Sequence, residues 1–478
     1  MEEIRSSQDY IQSLKNLKRK IIFRGEEIKD VTEHPITRPH ILCYAMTYKL
    51  EEDERFKEIA TVFSPFVNKR VSRFLHIGTT KEDYIAKIKL LRILGQVTGT
   101  CFQRCSALDG LNAIFHTTYI IDRNRNTDYN KKFTDYIKYA QNKNLALCIG
   151  MTDVKGDRTL SPSQQDDPDV YLRIVKRKKD GIIIRGAKMH ITGAICSHEI
   201  LVAPTTQMKE NERDWACICA VPLDSKGIFM LFGRQSNDSR KVEKEDMGNP
   251  FGTAGGEALV IFDDVFVPYE RVFMNGEAEY TGLFVDTFTT MHRQDYGGCK
   301  SGVCDVIVGC SSMLTKIHGV EKGQIIKDKM AEMVNYTETL YGTAIASCSE
   351  GKNLESGVFC PNPVLSNTTK LNSTKFIYEV SKIAHDISGG FIGTSPSERD
   401  FNTEVGKFLK KYLRGKADTD AALRIRLGRL LEAVTSMSCL VETMHGAGSP
   451  QTQKMVILKK SNIEEKEKIA EELMKREG

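Results

Sequence analysis

The chain has 478 residues, 40% hydrophobic and 27% charged, with a net charge of +5. That length argues for two or three packed units rather than one core, and the modest charge is no nucleic-acid footprint, although it suits an anionic ligand. No apolar run reaches the ~18–20 residues of a membrane span, and the polar stretch Met1 to Tyr10, with Glu2 and Glu3, lacks the apolar core of a secretory signal.

From Met1 to about Asn144 the pattern is helical. Apolar residues recur at three- and four-residue steps in Ile41 to Ala60, Lys81 to Thr98, Leu108 to Ile121 and Tyr129 to Asn144. From about Leu147 to Met274 short strands are expected. Val170, Leu172 and Ile174 alternate, Lys178-Lys179-Asp180-Gly181 turns the chain, and Ile182 to Arg185 returns it as a hairpin. Glu199 to Val202, Trp215 to Val221, Gly227 to Phe232, Ala258 to Phe262 and Val265 to Val267 follow as strands. From about Glu277 helices resume: Gly323 to Cys348, Lys375 to Ile387, Ala421 to His445 and a charged tail, Ser461 to Glu477. The expected order is an N-terminal helical domain (1–145), a middle antiparallel β domain (146–276) and a C-terminal helical bundle with a charged tail (277–478).

Thirteen cysteines without a secretory signal are expected to be thiols, thiolates or metal ligands, and the expected compartment is the cytoplasm. Two motifs concentrate the chemistry. In Cys101-Phe102-Gln103-Arg104-Cys105 the sulfurs are four apart, a spacing that shares one face of a helix. In His292-Arg293-Gln294-Asp295-Tyr296-Gly297-Gly298-Cys299-Lys300 a straight helix would separate His292 from Cys299 by about 10.5 Å along its axis. Gly297-Gly298 is expected to let the chain leave helical geometry there. By itself this second motif also reads as a helix end with a buried Cys and a surface His.

Together the motifs supply three thiols and an imidazole. Either a tetrahedral zinc site or an iron–sulfur cluster with one nitrogen ligand would use that set. The wide, uneven spacing on helices suits the larger cluster better than zinc, which usually draws tight pairs such as C-x₂-C.

Three further runs are candidate ligand contacts. Met151-Thr152-Asp153-Val154-Lys155-Gly156-Asp157-Arg158 is turn-rich and cationic, fit to hold a polar ring edge or phosphates, and it is not a G-x-G-x-x-G loop. Arg185 to Gly193 is strand-like and carries Lys188 and Thr192, with Thr192 able to donate to a planar cofactor. Met444-His445-Gly446-Ala447-Gly448-Ser449-Pro450-Gln451 follows a helix containing Glu442, and its glycines permit close approach to a ligand or simply end the helix. Cys217 and Cys219 read as buried thiols.

The set of motifs resembles the 4-hydroxybutyryl-CoA dehydratase family, within the wider 4-hydroxyphenylacetate 3-hydroxylase superfamily. The resemblance rests on Gly99 to Cys105, Thr152 to Arg158, Phe262-Asp263-Asp264-Val265-Phe266-Val267-Pro268, His292 to Lys300 and His445 to Gln451, and it runs from about Gly25 to Gln453. It implies an acyl-CoA dehydrogenase-like fold, FAD, a [4Fe–4S] cluster and a homotetramer. The implied cluster ligands are Cys101, Cys105, His292 and Cys299. Glu257, Tyr296, Lys300, Gln103, Thr192 and Glu442 fall on the family's active-site pattern, and Gln451 with the Met151 to Arg158 loop is expected on the flavin. Phe401 to Asp418 is shorter than the family pattern, which bears on the acyl chain or the subunit surface.

The implied reaction is radical dehydration of 4-hydroxybutyryl-CoA to crotonyl-CoA, with vinylacetyl-CoA Δ-isomerase activity. A hydroxyl at C4 is not β to the thioester carbonyl, and the C3 hydrogen is not acidic until the enolate has lost one electron to the flavin. In this picture His292 is iron ligand and C2 base, the iron is a Lewis acid for the hydroxyl, and Glu442 and Tyr296 position or protonate the leaving group. Glu257 and Lys300 shape the field around the cofactors. A flavin-dependent aromatic monooxygenase without a cluster and a non-enzymatic zinc-stabilised scaffold are the competing readings.

Overall fold

The computed structural model describes residues 2–234, 246–253 and 255–475. The first part comprises α1 (Ser7–Lys15), β1 (Lys20–Phe23), β2 (Glu26–Glu27), α2 (Arg38–Glu52), α3 (Lys57–Ala60), β3 (Thr61–Ser64), β4 (Lys69–Ser72), α4 (Lys81–Thr98), α5 (Cys105–Asn124) and α6 (Tyr129–Lys143). The β region follows as β5 (Leu147–Gly150), β6 (Arg173–Arg177), β7 (Gly181–Ile191), β8 (Glu199–Val202), β9 (Cys217–Pro222), β10 (Ile228–Phe232), β11 (Ala258–Pro268) and β12 (Val272–Asn275). The last part holds α7 (Thr281–His318), α8 (Gln324–Ser349), the short pair β13 (Lys352–Asn353) and β14 (Phe359–Cys360), α9 (Pro363–Ser388), α10 (Gly406–Tyr412), α11 (Ala421–Val434), α12 (Met437–His445), α13 (Pro450–Lys460) and α14 (Ile463–Met474).

The main sheet runs in the order β2-β1-β10-β11-β7-β6 and a second sheet runs β12-β9-β8-β5. Their facing apolar residues, among them Ile184, Val260 and Met230 from one and Ile200, Cys219 and Val272 from the other, share one core. The β6–β7 hairpin closes with Lys178 N–H donating to the Gly181 carbonyl at 2.8 Å. The two expected strands around Asp263-Asp264 are one strand, β11, with register shifts against β7. Most pairs are antiparallel, but β1–β10 and β5–β8 are parallel. Parallel pairing needs a long crossover, and both connections are long enough to supply one. Through β1 the N-terminal segment completes a sheet of the middle region.

Helix limits follow local chemistry where that chemistry is strong. Thr80 and Asp83 form a capping box that starts α4, and Gly99, at φ 63°, ends it. The long helical run expected from Ala421 to His445 is two helices, because Ser436 adopts extended backbone (ψ 156°) between α11 and α12.

Two expectations about the site motifs are corrected. Cys101 is not on a helix: it lies in the connection between α4 and α5, where Gly99 and Gln103 (φ 72°) both have left-handed backbone. Nor does the chain leave helical geometry at Gly297-Gly298, since α7 continues unbroken from Thr281 to His318. The glycines there let helices approach. A Cβ on Gly298 would lie 2.7 Å from the Ile88 carbonyl of α4, and one on Gly297 would lie 2.8 Å from the Leu340 carbonyl of α8.

Candidate active site

Three helices and one loop meet around α7. The loop after α4 brings Cys101, the first turn of α5 brings Cys105, and α7 brings His292, Asp295, Tyr296, Cys299 and Lys300. Donor atoms of Cys105, His292 and Asp295 lie within 4.8 Å of one another. Cys101 and Cys299 lie outside that tight group but close enough that their charges act on Cys105, and Cys299's on Cys101. The loop between Cys101 and Cys105 is fixed by Gln103, wholly buried. Its Oε1 accepts from Gly256 N–H at 3.0 Å and its Nε2 donates to the His40 carbonyl at 3.1 Å. These bonds hold a non-glycine residue in the left-handed region.

Burial pushes all three thiols up, Cys299 to about 12, and nearby carboxylates push further: Glu442 for Cys101 and Asp295 for Cys105. A thiol in such a place is inert unless a metal ionises it. Lys300, fully buried, opposes the rise at Cys101 and Cys299 and would balance thiolate charge.

Behind His292 lies a buried charge network. Lys87 of α4 pairs with Asp109 of α5 at 2.8 Å and with Asp295 of α7 at 2.7 Å. His292 Nδ1 donates to Asp109 Oδ2 at 2.9 Å and faces Asp295 Oδ2 at 3.6 Å. Burial alone would lower the His292 pKa, but Asp109 and Asp295 outweigh it and raise it to about 9. Asp295 is pushed up by burial and by the Asp109 charge. Asp109 is also raised by burial, but Lys87 and His292 overcome this and draw it down.

On the other side, Lys300 pairs with Glu442 of α12. Tyr296 is wholly buried, its ring 3.8 Å from the Lys370 ammonium, and its hydroxyl occupies the space that a side chain on Gly446 would need. Lys370 donates to the Thr443 carbonyl. Arg293 Nε donates to the Ala447 carbonyl at 3.0 Å, and Nη1 to Asn367 Oδ1 at 2.6 Å. The turn after α12 is thereby tied to α7 and α9.

The candidate cofactor contacts divide into two groups. Thr192, Glu257 and Cys101 surround Gly255: a Cβ there would lie 2.7 Å from both Thr192 Cγ2 and Glu257 Oε1, and 3.4 Å from Cys101 Sγ. Among the loop residues, Asp153 and Lys188 are buried and paired with each other at 2.8 Å, and Lys188 also donates to the Met151 and Ala203 carbonyls. Met151 and Thr152 are half-buried beside them, whereas Gly156, Asp157 and Arg158 are exposed. Lys155, half-buried, and His445 both act electrostatically on His190, which places this loop near the turn after α12. Gln451 is exposed on the first turn of α13.

Sequence reasoning missed Lys87, Asp109, Arg293 and Lys370, and passed over Asp295. Signals existed: Asp109 is four residues after Cys105 on one helix face, and Lys87 and Lys370 occupy core positions of amphipathic helices, where an unpaired lysine is costly.

The family "4-hydroxyphenylacetate 3-hydroxylase N terminal" matches residues 6–274, and its C-terminal counterpart matches residues 281–475. The chain is 42% identical over 482 aligned residues to a protein of Clostridium aminobutyricum named 4-hydroxybutyryl-CoA dehydratase/vinylacetyl-CoA-Δ-isomerase, covering 97% of this chain and 98% of that one. A solved structure of an oxygen-tolerant archaeal 4-hydroxybutyryl-CoA dehydratase from N. maritimus superposes with a TM-score of 0.96 at 42% identity, covering 98% of this chain and 95% of that one. Butyryl-CoA dehydrogenase from Megasphaera elsdenii shares the fold alone, with a TM-score of 0.51 at 13% identity over 90% of this chain and 98% of that one. The fold is thus acyl-CoA dehydrogenase-like, and the chain belongs to the 4-hydroxybutyryl-CoA dehydratase family within the 4-hydroxyphenylacetate 3-hydroxylase superfamily.

Proposed function

We propose that the protein converts 4-hydroxybutyryl-CoA to crotonyl-CoA and water, and isomerises vinylacetyl-CoA, with FAD and a [4Fe–4S] cluster. The observation that carries this reading is the meeting of Cys105 with His292, with Cys101 and Cys299 as electrostatic neighbours, from two stretches far apart in sequence. Ligands of a single zinc ion at about 2.0–2.3 Å would all lie within about 4 Å of each other. Here the tight group is Cys105, His292 and Asp295, and Cys101 and Cys299 stand outside it, which favours a larger cluster over zinc.

Cys101, Cys105, His292 and Cys299 would hold the cluster. Thr192, Gln451 and the Met151 to Arg158 loop would serve the flavin, with Lys155 and Arg158 as its cationic members. Gln103, expected on the cofactor, has its amide bonded to Gly256 N–H and the His40 carbonyl and would instead shape the loop between Cys101 and Cys105. When bound, the flavin supplies a reversible one-electron acceptor and the cluster a Lewis acid. The chain's own groups handle protons. Once loosened from the metal, the neutral His292 ring would take the C2 proton on Nε2, and Asp109 and Asp295 favour the resulting imidazolium. Glu442, ion-paired with Lys300, would take up the C3 proton and pass it to the departing C4 hydroxyl, which Tyr296 positions. Of the two protons removed from C2 and C3, one leaves in water and the other returns to C4.

The same reading makes the protein a homotetramer. Large apolar side chains on its last helices, Met437 (68% exposed), Leu458 (67%) and Met474 (79%) among them, support contact with further copies. Among the described residues no helix is long and apolar enough to cross a membrane, and the cytoplasm is the proposed compartment.

Anaerobic purification with iron, sulfide and flavin analysis tests the reading. A brown protein that dehydrates 4-hydroxybutyryl-CoA is expected. His292→Ala with flavin still bound is expected to be inactive, and unchanged turnover would refute the assignment. Flavin without iron would favour the aromatic monooxygenase, and zinc without flavin the scaffold.

A further inference from the structure

The imidazole of His292 has two nitrogens, and the fold commits one of them. Nδ1 lies 2.9 Å from Asp109 Oδ2, and Asp109 is 1% exposed. A carboxylate accepts only, so Nδ1 carries the hydrogen, and Nε2 is the nitrogen whose lone pair the neutral ring can offer to a metal. Asp109 is itself held, because its other oxygen accepts from Lys87 at 2.8 Å. Lys87 cannot swing away: it also pairs with Asp295 at 2.7 Å and lies 4.6 Å from the Tyr84 ring centre. Each member comes from a different helix, α4, α5 or α7, and α5 also carries Cys105 one turn before Asp109.

We propose that Asp109, fixed by Lys87, is a positioning residue that sets the tautomer and ring angle of His292, so that Nε2 is the nitrogen presented to the metal centre shared with Cys105. This rests on the reading above that His292 ligates a cluster. Metal-bound histidines are commonly oriented in this way through their second nitrogen, and losing such a partner typically weakens metal binding or activity 10- to 100-fold. Asparagine at position 109 breaks the arrangement for a specific reason. Lys87 demands the amide oxygen, which turns the amide NH₂ toward Nδ1. Nδ1 must then accept, and the hydrogen moves to Nε2, where it blocks ligation.

The test uses holoenzyme purified without oxygen and labelled with ¹⁵N in its histidine rings. Pulsed EPR of the reduced cluster in the wild type is expected to show a ring-nitrogen coupling that is missing from His292→Ala. A wild type without that coupling would overturn the ligand reading itself, and this proposal with it. With the coupling present, Asp109→Asn is expected to keep flavin and helical content, to lose most of the coupling and to release iron to a chelator about 10- to 100-fold faster. A kcat lowered by a similar factor with KM within about twofold is expected alongside, and Asp109→Glu should recover part of each loss. Wild-type coupling and iron release in Asp109→Asn would overturn the positioning role while leaving His292 as ligand. Should Asp109→Asn fail to fold, Lys87→Gln carries the same readouts: faster iron release and a weakened coupling are expected, and wild-type values there overturn the proposal.

Discussion

The ammonium of Lys370 sits 3.8 Å from the centre of the Tyr296 ring and donates to the carbonyl of Thr443, the residue after Glu442. Burial drives its pKa down to about 7, with the neighbouring Glu442 opposing the fall. One side chain thus links the aromatic wall of the site to the helix that carries its carboxylate. Lys370→Met would leave the Thr443 carbonyl without its donor and Tyr296 without its cation. We expect kcat to fall at least about tenfold, since a carboxylate displaced by about 1 Å can cost more than that. Steady-state kinetics on flavin- and iron-replete protein check it, and wild-type kcat would count against the link.

Glu442 is expected to act on the leaving hydroxyl. Glu442→Gln keeps size and a hydrogen-bonding group beside Lys300 but can no longer take up and pass on a proton. A loss of about 10²–10⁴-fold in kcat is expected, with flavin and iron content unchanged. The isomerase reaction expels no hydroxyl and should suffer much less. Equal losses in both reactions would assign Glu442 to binding instead.

Packing of α7 predicts opposite outcomes for two glycines. A Cβ on Gly302 would press into the Arg92 carbonyl and lie 2.9 Å from both Gln96 N and Gly95 Cα, all backbone of α4. Gly302→Ala must force the helices apart and is expected to cost about 1–3 kcal/mol or more. Gly342 of α8 has nothing within 4 Å, so Gly342→Ala should gain about 0.5–1 kcal/mol from helix propensity. Urea midpoints of the two variants decide between them.

His198 predicts an acid limb to stability. It is buried and neutral, its Nδ1 accepting from Ala146 N–H at 3.1 Å and its Nε2 bonding Ser13 Oγ at 2.8 Å. Burial and the Arg19 charge hold its pKa down at about 3, against about 6.5 unfolded. Between pH 6.5 and pH 3 the unfolded chain therefore binds more protons, and stability is lost as pH falls through that window. At pH 5 the loss from this residue is on the order of 2 kcal/mol. His198→Asn keeps an acceptor for Ala146 and removes the titration. Its urea midpoint should change less between pH 7 and pH 5 than that of the wild type, and parallel curves would refute the assignment.

The sequence alone determined what is written in short-range chemistry. The limits of α4 follow from Thr80, Asp83 and Gly99, the β6–β7 hairpin from Asp180-Gly181, and the three-part order from the change of hydrophobic period. The candidate ligands were legible because cysteine and histidine at those spacings resemble a known set. Tertiary structure alone decided how they meet. Helical spacing does not unite Cys101 and Cys105, because Gln103 is held at φ 72° by bonds to Gly256 and His40, more than sixty residues away on either side. Gly297 and Gly298 do not bend α7, since the approach of α4 and α8 uses the room they leave. Lys87, Asp109 and His292 become one network only when three helices pack. A buried charge is tolerable only beside its partner, and which partner it has is a property of the packed chain.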